Sequence, residues 1–395
     1  MISKNSVDNW LVRIALLFPS TVLLQGQPGL GWLNKGIVAV LVLLMLWQMK
    51  DQRNVFAPVA ICGVLSIISL LLSNRTYLRM QDVFYFPLFV LYCLYWTNRS
   101  GEFEAALRKN LTFGGACVLF WGALVAVSVF FPTSFVHMDQ NTVFFQSFSN
   151  DTFRLASSCV IIMLMLHVLA YYKKPVIFLL EAVPMGIIFA TGTRIYLLVG
   201  AGILFLSLYL LCKRKRVFWI SLIPILAVMA VAVLNSSIMD KFVLVARSQE
   251  TLYGNYLDAF TSGRTVFWRL NLEAFSELPL WQQLVGNGLS FSYEVTGTKY
   301  VSSIWSHNDY VHMLLSYGWI GLGLYLYCFF RFAARFRKTY SIKWLPCLGA
   351  VGLCMGNAFI NGLYFYSAAM LAMPFLFYAM SLDRGNRKGV QDAGK

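Results

Sequence analysis

A short polar cluster, residues 306–310 (SHNDY), stands at the start of an apolar stretch that continues to Phe330. Such side chains are costly at a membrane face unless a polar ligand meets them there. Ser306 and Asp309 form an S-x-x-D pattern, which predicts a cap at a helix N-terminus. The dipole of that helix lowers the pKa of an imidazole, so we expect His307 to be neutral near pH 7 and able to accept a proton.

Two arginines, Arg194 and Arg264, occupy similar positions in the chain. Arg194 follows TGT in a short turn between two apolar stretches, and Arg264 follows TSG at the start of RTVFWRLNLEAF. A cation is disfavoured at a helix N-terminus, so each guanidinium is expected to meet an anion there. A guanidinium matches phosphate oxygens in a bidentate manner, and two of them could hold a pyrophosphate. The alternatives are contact of Arg194 with lipid headgroups and an ion pair of Arg264 with Glu273 or Glu277.

Patterns for metal or nucleotide chemistry are missing from the sequence. His312 lies five residues after His307, on another face of the predicted helix, so the two make a poor metal site. His137 and His167 have no partner in the sequence and are interpreted as structural. The D-x-D, H-E-x-x-H, G-x-S-x-G and Walker patterns do not occur, so we expect a reaction without metal or cofactor.

The composition is that of an integral membrane protein. Of the 395 residues, 58% are hydrophobic and 12% are charged, with a mean hydropathy of +0.65; soluble domains carry about 25% charged residues. The net charge of +15 does not indicate nucleic-acid binding, because the basic residues are concentrated in short loops between apolar stretches. The eight cysteines lie in or beside those stretches and are interpreted as small buried side chains.

Twelve stretches are apolar enough to be membrane spans of about 20 residues each. They cover approximately residues 10–25, 32–49, 56–73, 80–97, 112–131, 155–171, 175–191, 194–212, 217–234, 308–330, 343–361 and 364–380. The predicted fold is all-α and has three parts: nine helices in 1–234, a long loop in 235–306, and three helices with a tail in 307–395. The first stretch is interpreted as a retained helix and not as a cleaved signal peptide.

The basic loops predict the orientation, since cytoplasmic loops are rich in lysine and arginine. One side receives Lys50 and Arg53; Arg99, Arg108 and Lys109; Lys173 and Lys174; residues 213–216 (KRKR); Arg331, Arg335, Arg337, Lys338 and Lys343; and Arg384, Arg387 and Lys388. Both termini are therefore expected in the cytoplasm, and the loops 132–154 and 235–306 on the outer face.

The long outer loop is predicted to carry local structure. RTVFWRLNLEAF has apolar residues at helical spacing, which is typical of a short helix at the membrane interface. Ser262 or Thr261 could cap that helix, and Gly286-Asn287-Gly288 predicts a turn. Arginines are rare on an outer face, which draws attention to Arg75, Arg79, Arg154, Arg194, Arg247, Arg264 and Arg269; Arg247 and Lys299 are interpreted as solvated.

Three segments resemble the O-antigen ligase and polysaccharide polymerase family of bacterial inner membranes. They are TGTRIYLL around Arg194, SGRTVFW around Arg264 and SHNDYVHMLLSYGWIGLGLYL from Ser306. The likeness extends from the eighth predicted helix to the last, and its most specific part is the H-N run after a long outer loop.

The resemblance implies a glycosyltransferase-C-like membrane fold and metal-independent, inverting sugar transfer at the outer face. The donor would be an undecaprenyl-pyrophosphate-linked oligosaccharide. The family's outer-face arginines and histidine correspond to Arg194, Arg264 and His307, and the candidates for substrate contacts are Asn308, Asp309, Tyr310 and Arg269. Whether His307 or Asp309 would be the base is left open. Membrane lipid and a chain-length regulator protein are expected partners, and nucleic acid is not.

Polymerase and ligase differ in the acceptor, which is a second lipid-linked repeat unit or a lipid A core. SHNDY followed by LLSYGWIGL is more similar to the polymerases of O-antigen, capsule or exopolysaccharide, so a polymerase is the predicted function and a ligase the alternative. A lipid-linked oligosaccharide flippase is a further alternative. It would be expected to show internal repeats and a cationic cavity at mid-membrane depth, and the sequence shows no such repeat.

Overall fold

The computed structural model describes residues 4–50, 52–79, 81–137, 143–212, 263–300 and 303–383, with single positions 216, 218, 220, 224, 227, 231, 258 and 261. These residues form an all-α polytopic membrane protein. Its α-helices are α1 (Lys4–Leu24), α2 (Leu33–Met49), α3 (Arg53–Leu72), α4 (Asp82–Lys109), α5 (Leu111–Ser128), α6 (Thr152–Tyr172), α7 (Ala182–Ala190), α8 (Arg194–Leu211), α9 (Arg264–Ser276), α10 (Leu280–Val285), α11 (Phe291–Tyr300), α12 (Asp309–Thr339), α13 (Trp344–Ile360) and α14 (Ser367–Ala379).

The predicted spans coincide with these helices wherever the structure describes them. The seventh span is a 3₁₀ segment (Pro175–Glu181) followed by α7, and the ninth, 217–234, lies mostly outside the described residues. By length and composition, α1, α3, α5, α6, α8 and α12 can cross a membrane, while α2, α13, α14 and the Pro175–Ala190 segment are shorter apolar helices. The membrane class is confirmed, and the total of twelve spans remains a prediction.

Two local features differ from the predicted row of helices. The fourth span is predicted to end near residue 97, but α4 continues to Lys109 with one non-helical residue, Arg99, inside it. The predicted outer loop 132–154 contains a small antiparallel hairpin of β1 (Phe135–His137) and β2 (Val143–Phe145).

Burial separates a central helix from peripheral ones. In α6, 89% of the spanning window is buried, whereas the value is 28% in both α3 and α5. Because α6 is surrounded by protein, its apolar residues form the core; α3 and α5 present most of their apolar side chains to the surroundings, as lipid-facing helices do. The start of α6 and the start of α8 lie beside the candidate site described below.

The outer part of the chain is tied to a break in α12. Gly318 has φ +65° and ψ −166°, which interrupts the helix, and the freed carbonyl of Leu315 accepts a hydrogen bond from Asn287 N at 2.8 Å. The predicted turn at 286–288 is present between α10 and α11, with φ +89° at Gly286 and +103° at Gly288. A Cβ on Gly318 would lie 2.3 Å from the Leu284 carbonyl, so only glycine allows α10 to approach this closely.

Candidate active site

The start of α12 differs from the predicted cap. Asn308 is the N-cap, and its side-chain oxygen accepts hydrogen bonds from Tyr310 N at 2.9 Å and Val311 N at 3.2 Å. Ser306 Oγ donates to the Asn308 carbonyl at 3.0 Å. The prediction of a cap by Ser306 and Asp309 is therefore wrong, because Asn308 already satisfies the free N–H groups of the first turn.

His307 precedes this cap in an unusual backbone conformation. Its φ of +48° lies in the left-handed region, which is sparsely populated by residues other than glycine and costs about 1–3 kcal/mol when the surroundings impose it. Trp268 Nε1 donates to the Ser306 carbonyl at 2.7 Å and so attaches α9 to the residue before His307. The left-handed turn and this bond together constrain the backbone at His307.

Asp309 is fully buried and supports the loop between α13 and α14, residues 361–366. Its Oδ2 accepts hydrogen bonds from Leu363 N at 2.6 Å, Tyr364 N at 3.1 Å and the Tyr325 hydroxyl at 3.1 Å. This network joins two N–H groups more than 50 residues away to the first turn of α12. The carboxylate therefore positions the loop, and its contact with a substrate remains a prediction.

Two other predicted contact residues lie apart from His307. The Tyr310 hydroxyl donates to the Met355 carbonyl at 3.1 Å, which directs this side chain to α13. Arg269 is exposed, whereas Val266 and Phe267 of the same helix are buried. A substrate contact of Tyr310 or Arg269 remains a prediction.

Arg264 is the first residue of α9 and is half-buried. The turn before it is formed by Gly263, with φ +79°, and Thr261 Oγ1 accepts from Thr265 N at 3.3 Å. Gly263, and not Thr261, is the N-cap of α9, although Thr261 Oγ1 accepts this bond from the first turn; Ser262 lies outside the described residues. The guanidinium donates through Nη1 to the carbonyl of Ile360, the last residue of α13.

In the described part of the chain, no carboxylate forms an ion pair with Arg264. The alternative of an ion pair with Glu273 or Glu277 is therefore not observed. The negative end of the α13 dipole at Ile360 offsets part of the charge. Burial lowers the pKa of Arg264, which means that this group would gain from a bound anion.

Arg264 joins the other two residues predicted to act in catalysis. Its charge acts both on the guanidinium of Arg194, at the start of α8, and on the imidazole of His307. Burial and then the Arg264 charge lower the pKa of His307 to about 3, so the imidazole is neutral at neutral pH. Within the described part of the chain, His307 Nδ1 is buried without a hydrogen-bond partner. The three elements carrying these residues therefore converge.

Sequence reasoning did not identify the loop residues around this cluster. Tyr366 lies within range of the Arg264 charge, and the residue before it, Phe365, stacks on Trp305 with ring centroids 4.1 Å apart. The Trp305 ring in turn lies 4.9 Å from the His307 ring. These residues come from segments far apart in sequence, and none belongs to a pattern with a known chemical role.

The cluster has the chemistry of an anion site next to a hydrogen-bond acceptor. Two arginines can hold adjacent phosphate groups, and a neutral imidazole can accept a hydrogen bond from a hydroxyl. In the described ranges, no group of three or more His, Cys, Asp or Glu side chains has the geometry of a metal site.

Comparison with known proteins agrees with the family resemblance. A family model described as O-antigen ligase matches residues 176–326, a range that contains all seven predicted site residues. The match begins before the eighth predicted helix and ends inside α12, so it does not reach the last helices as the resemblance had implied. No curated protein matches the chain. Residues 176–326 are therefore similar to the O-antigen ligase family, in agreement with the family resemblance seen in the sequence.

Proposed function

We propose that the protein is a membrane glycosyltransferase that polymerises a polysaccharide from undecaprenyl-pyrophosphate-linked repeat units. The observation that carries this proposal is the convergence of Arg194, Arg264 and His307 inside the region that matches the O-antigen ligase family. The product would be an O-antigen, a capsule or an exopolysaccharide.

The arginines would bind the pyrophosphate of the donor and stabilise it as it leaves. Arg264 donates to one backbone carbonyl and, among the described residues, has no salt bridge. Its guanidinium therefore retains donors and charge for a phosphate. Preorganised donors aimed at a developing negative charge supply a large part of the catalysis in many enzymes. Here they would perform the role that a metal ion often has in glycosyl transfer.

His307 would accept the hydrogen of the attacking hydroxyl. A pKa of about 3 is too low for an efficient base at neutral pH, since the best base has a pKa close to the working pH. The arrival of the pyrophosphate would cancel the Arg264 charge, which is the second cause of the lowered pKa, and so make the imidazole more basic. Donor binding would thereby prepare His307 for the acceptor. Asp309 Oδ2 already accepts three hydrogen bonds, which favours His307 as the base.

The reaction is a direct displacement. The acceptor hydroxyl oxygen bonds to the anomeric carbon of the donor while the bond from that carbon to the pyrophosphate oxygen breaks. The electron pair leaves with undecaprenyl pyrophosphate, the hydroxyl proton passes to His307, and the anomeric configuration is inverted.

The protein would also have a defined topology in the membrane. The protein would cross the bacterial inner membrane twelve times, in a glycosyltransferase-C-like arrangement, with both termini in the cytoplasm and the site on the outer face. The basic loops support this orientation. Most of the predicted outer loop before residue 263 lies outside the described residues; its described part, residues 263–300 and 303–306, would cover the reacting groups. Lipid would surround the helices, and a chain-length regulator protein would be a partner.

A ligase is the second candidate, and the description of the matching family favours it. The donor half of the reaction would be identical, and the acceptor would be a lipid A core. The same cluster would therefore serve either function, and the two are distinguished by the acceptor.

The deciding experiment supplies the purified protein in proteoliposomes with a defined lipid-linked oligosaccharide. Growth of longer lipid-linked chains without lipid A core supports the polymerase, and transfer that requires lipid A core supports the ligase. Movement of the lipid-linked sugar across the bilayer without any new glycosidic bond would establish a flippase and overturn the enzyme proposal. The His307→Ala variant, assayed in parallel, separates the protein's own activity from that of a contaminant.

A further inference from the structure

An aromatic surface extends from His307 towards α4. The Trp305 ring lies 4.9 Å from the His307 ring and stacks on Phe365 at 4.1 Å with an interplanar angle of 10°. Phe365 in turn lies 4.8 Å from Tyr85 of α4. Trp305 is only 6% exposed, whereas Tyr85 and Phe365 are half-buried. The last two rings therefore offer accessible apolar surface on a buried aromatic support.

The loop that carries Phe365 is firmly held next to the arginine cluster. The backbone N–H groups of Leu363 and Tyr364 donate to the buried Asp309 carboxylate, so the residues that follow them have a fixed position. The Arg264 charge acts on Tyr366, the next residue after Phe365. One short loop thus carries both Tyr366, on which the Arg264 charge acts, and Phe365, which belongs to the aromatic surface.

The polar groups beside this surface suit a ligand with hydroxyl groups. Tyr85 lies within range of the charges of Asp82 and Arg154, which have opposite signs. Arg154, at the start of α6, is 43% exposed and forms an ion pair with Asp151 at 3.3 Å. Unlike Arg264, this guanidinium has a carboxylate partner, so it favours hydrogen bonding to neutral hydroxyls over the binding of a free phosphate.

We propose that Tyr85 and Phe365 form the subsite for the acceptor, on which a sugar ring stacks with its apolar face while one of its hydroxyls reaches His307. Flat aromatic rings bury the C–H face of such a ligand, and the polar groups at the edge fix its orientation. This inference rests on the proposed glycosyl transfer.

The position of the surface distinguishes the acceptor from the donor. The donor's first sugar is bonded to the pyrophosphate, so it must lie directly beside Arg194 and Arg264. In the series of ring contacts, Trp305 lies between Phe365 and His307, and His307 is the group that must meet the attacking hydroxyl. The second sugar of the reaction is the one that fits there.

The test measures two ligands separately, with the full-length protein in nanodiscs. One probe is undecaprenyl pyrophosphate without sugar, and the other is the lipid-free oligosaccharide released by mild acid from the lipid carrier of the producing cells. Tyr85→Leu and Phe365→Leu keep apolar volume but remove the flat ring. Each should weaken oligosaccharide binding about tenfold and leave undecaprenyl pyrophosphate binding unchanged.

Four further variants complete the test. Tyr85→Phe and Phe365→Tyr retain the rings and should restore binding to near the wild-type value. Phe84→Leu removes a neighbouring ring of α4 that is 66% exposed and should change neither affinity. Arg264→Ala should show the opposite pattern, with weaker binding of undecaprenyl pyrophosphate and unchanged binding of the oligosaccharide.

The outcomes separate the subsite from the proposed function. Wild-type affinity of both leucine variants for the oligosaccharide would overturn the subsite, as would an equal loss for both probes, which would indicate a purely structural role of the rings. Failure of the wild-type protein to bind the oligosaccharide while it binds undecaprenyl pyrophosphate would also overturn it and leave the donor chemistry intact. A wild-type protein that binds neither probe would overturn the proposed function and the subsite with it.

Discussion

Asp309 and Leu363 are joined by a hydrogen bond of 2.6 Å, from the backbone N–H of Leu363 to the buried carboxylate of Asp309. The bond connects the first turn of α12 with the loop between α13 and α14. The same carboxylate oxygen also accepts hydrogen bonds from the Tyr364 N–H and the Tyr325 hydroxyl. His307 lies two residues before Asp309, and Phe365 two residues after Leu363. The shape of the candidate site thus depends on a carboxylate that need not contact the substrate.

Replacement of Asp309 should therefore affect both stability and turnover. Asp309→Ala leaves three buried donors without their acceptor, at a cost of roughly 2–3 kcal/mol or more. Tyr325→Phe removes a single donor and should cost about 1 kcal/mol. Thermal unfolding in detergent should rank the wild type first, Tyr325→Phe second and Asp309→Ala last, and turnover should follow the same order. An Asp309→Ala protein as stable as the wild type would contradict the role of Asp309 in supporting the loop.

Arg264→Ala should lower turnover about 100-fold, the usual scale for the loss of one preorganised electrostatic group. Arg264→Lys should recover little, because an ammonium lacks the planar fork that meets two phosphate oxygens. Lys299→Ala removes an exposed cation from the same outer segment and is the matched control, with turnover close to wild type. Initial rates of glycan transfer in proteoliposomes give the comparison, and near-normal rates for Arg264→Ala would remove this residue from the mechanism.

The pKa of His307 should be measurable directly, because the chain has only four histidines. Selective labelling of histidine and comparison with His307→Gln would assign its NMR signal. We expect a pKa of about 3 in the wild type. In Arg264→Ala the value should rise, since one of its two causes is removed, but stay below 6.5 because burial is the larger cause. If His307 of the wild type titrated with a pKa near its ordinary value of 6.5, its surroundings could not be both buried and positively charged as described.

The same pKa predicts a pH dependence of stability. The unfolded chain protonates His307 below its ordinary pKa of 6.5, while the folded protein keeps it neutral down to about pH 3. His307 therefore contributes stability above pH 6.5 that is lost as the pH falls towards 3. In thermal unfolding, wild type should lose more stability than His307→Gln across this interval. Parallel curves for the two proteins would show that His307 does not have the lowered pKa.

Gly318 should be intolerant of any side chain. Its φ is +65°, and a Cβ at this position would lie only 2.3 Å from the Leu284 carbonyl, so Gly318→Ala strains the backbone and displaces α10, at a cost of at least about 2 kcal/mol. Gly323→Ala is the matched control on the same helix, since nothing lies within 4 Å of its Cβ position. That change should be neutral or stabilising by up to about 1 kcal/mol, because alanine favours a helix. Thermal unfolding would check both, and equal midpoints for the two variants would contradict the described packing of α10.

Properties that depend on composition and on short patterns could be predicted from the sequence. Long apolar stretches must be helical in a membrane because every backbone N–H needs a partner there, and the predicted spans accordingly match helices wherever the chain is described. Arg194, Arg264 and His307 could be identified because a charge or an imidazole at a helix N-terminus beside the membrane costs free energy unless it has a partner. The structure brings these three together.

Properties that depend on distant contacts could not be predicted. The S-x-x-D pattern favours a local cap by Asp309, but its carboxylate is occupied by N–H groups of the α13–α14 loop, so Asn308 caps the helix instead. Of the three glycines in SYGWIGLG only Gly318 breaks the helix, and of the three only its Cβ position would meet the backbone of another segment, α10. Phe365 and Trp305 likewise acquire a role only from their neighbours in space.

Arg264 donates a hydrogen bond to the backbone carbonyl of Ile360, and the neutral charge of this acceptor affects product release. A carbonyl leaves the guanidinium with its full positive charge. The proposed transfer turns a pyrophosphate diester into a monoester, and the product therefore carries more negative charge than the donor. The arginines would hold the spent carrier more tightly than the substrate, so turnover would be limited by how quickly another reaction removes it from the site.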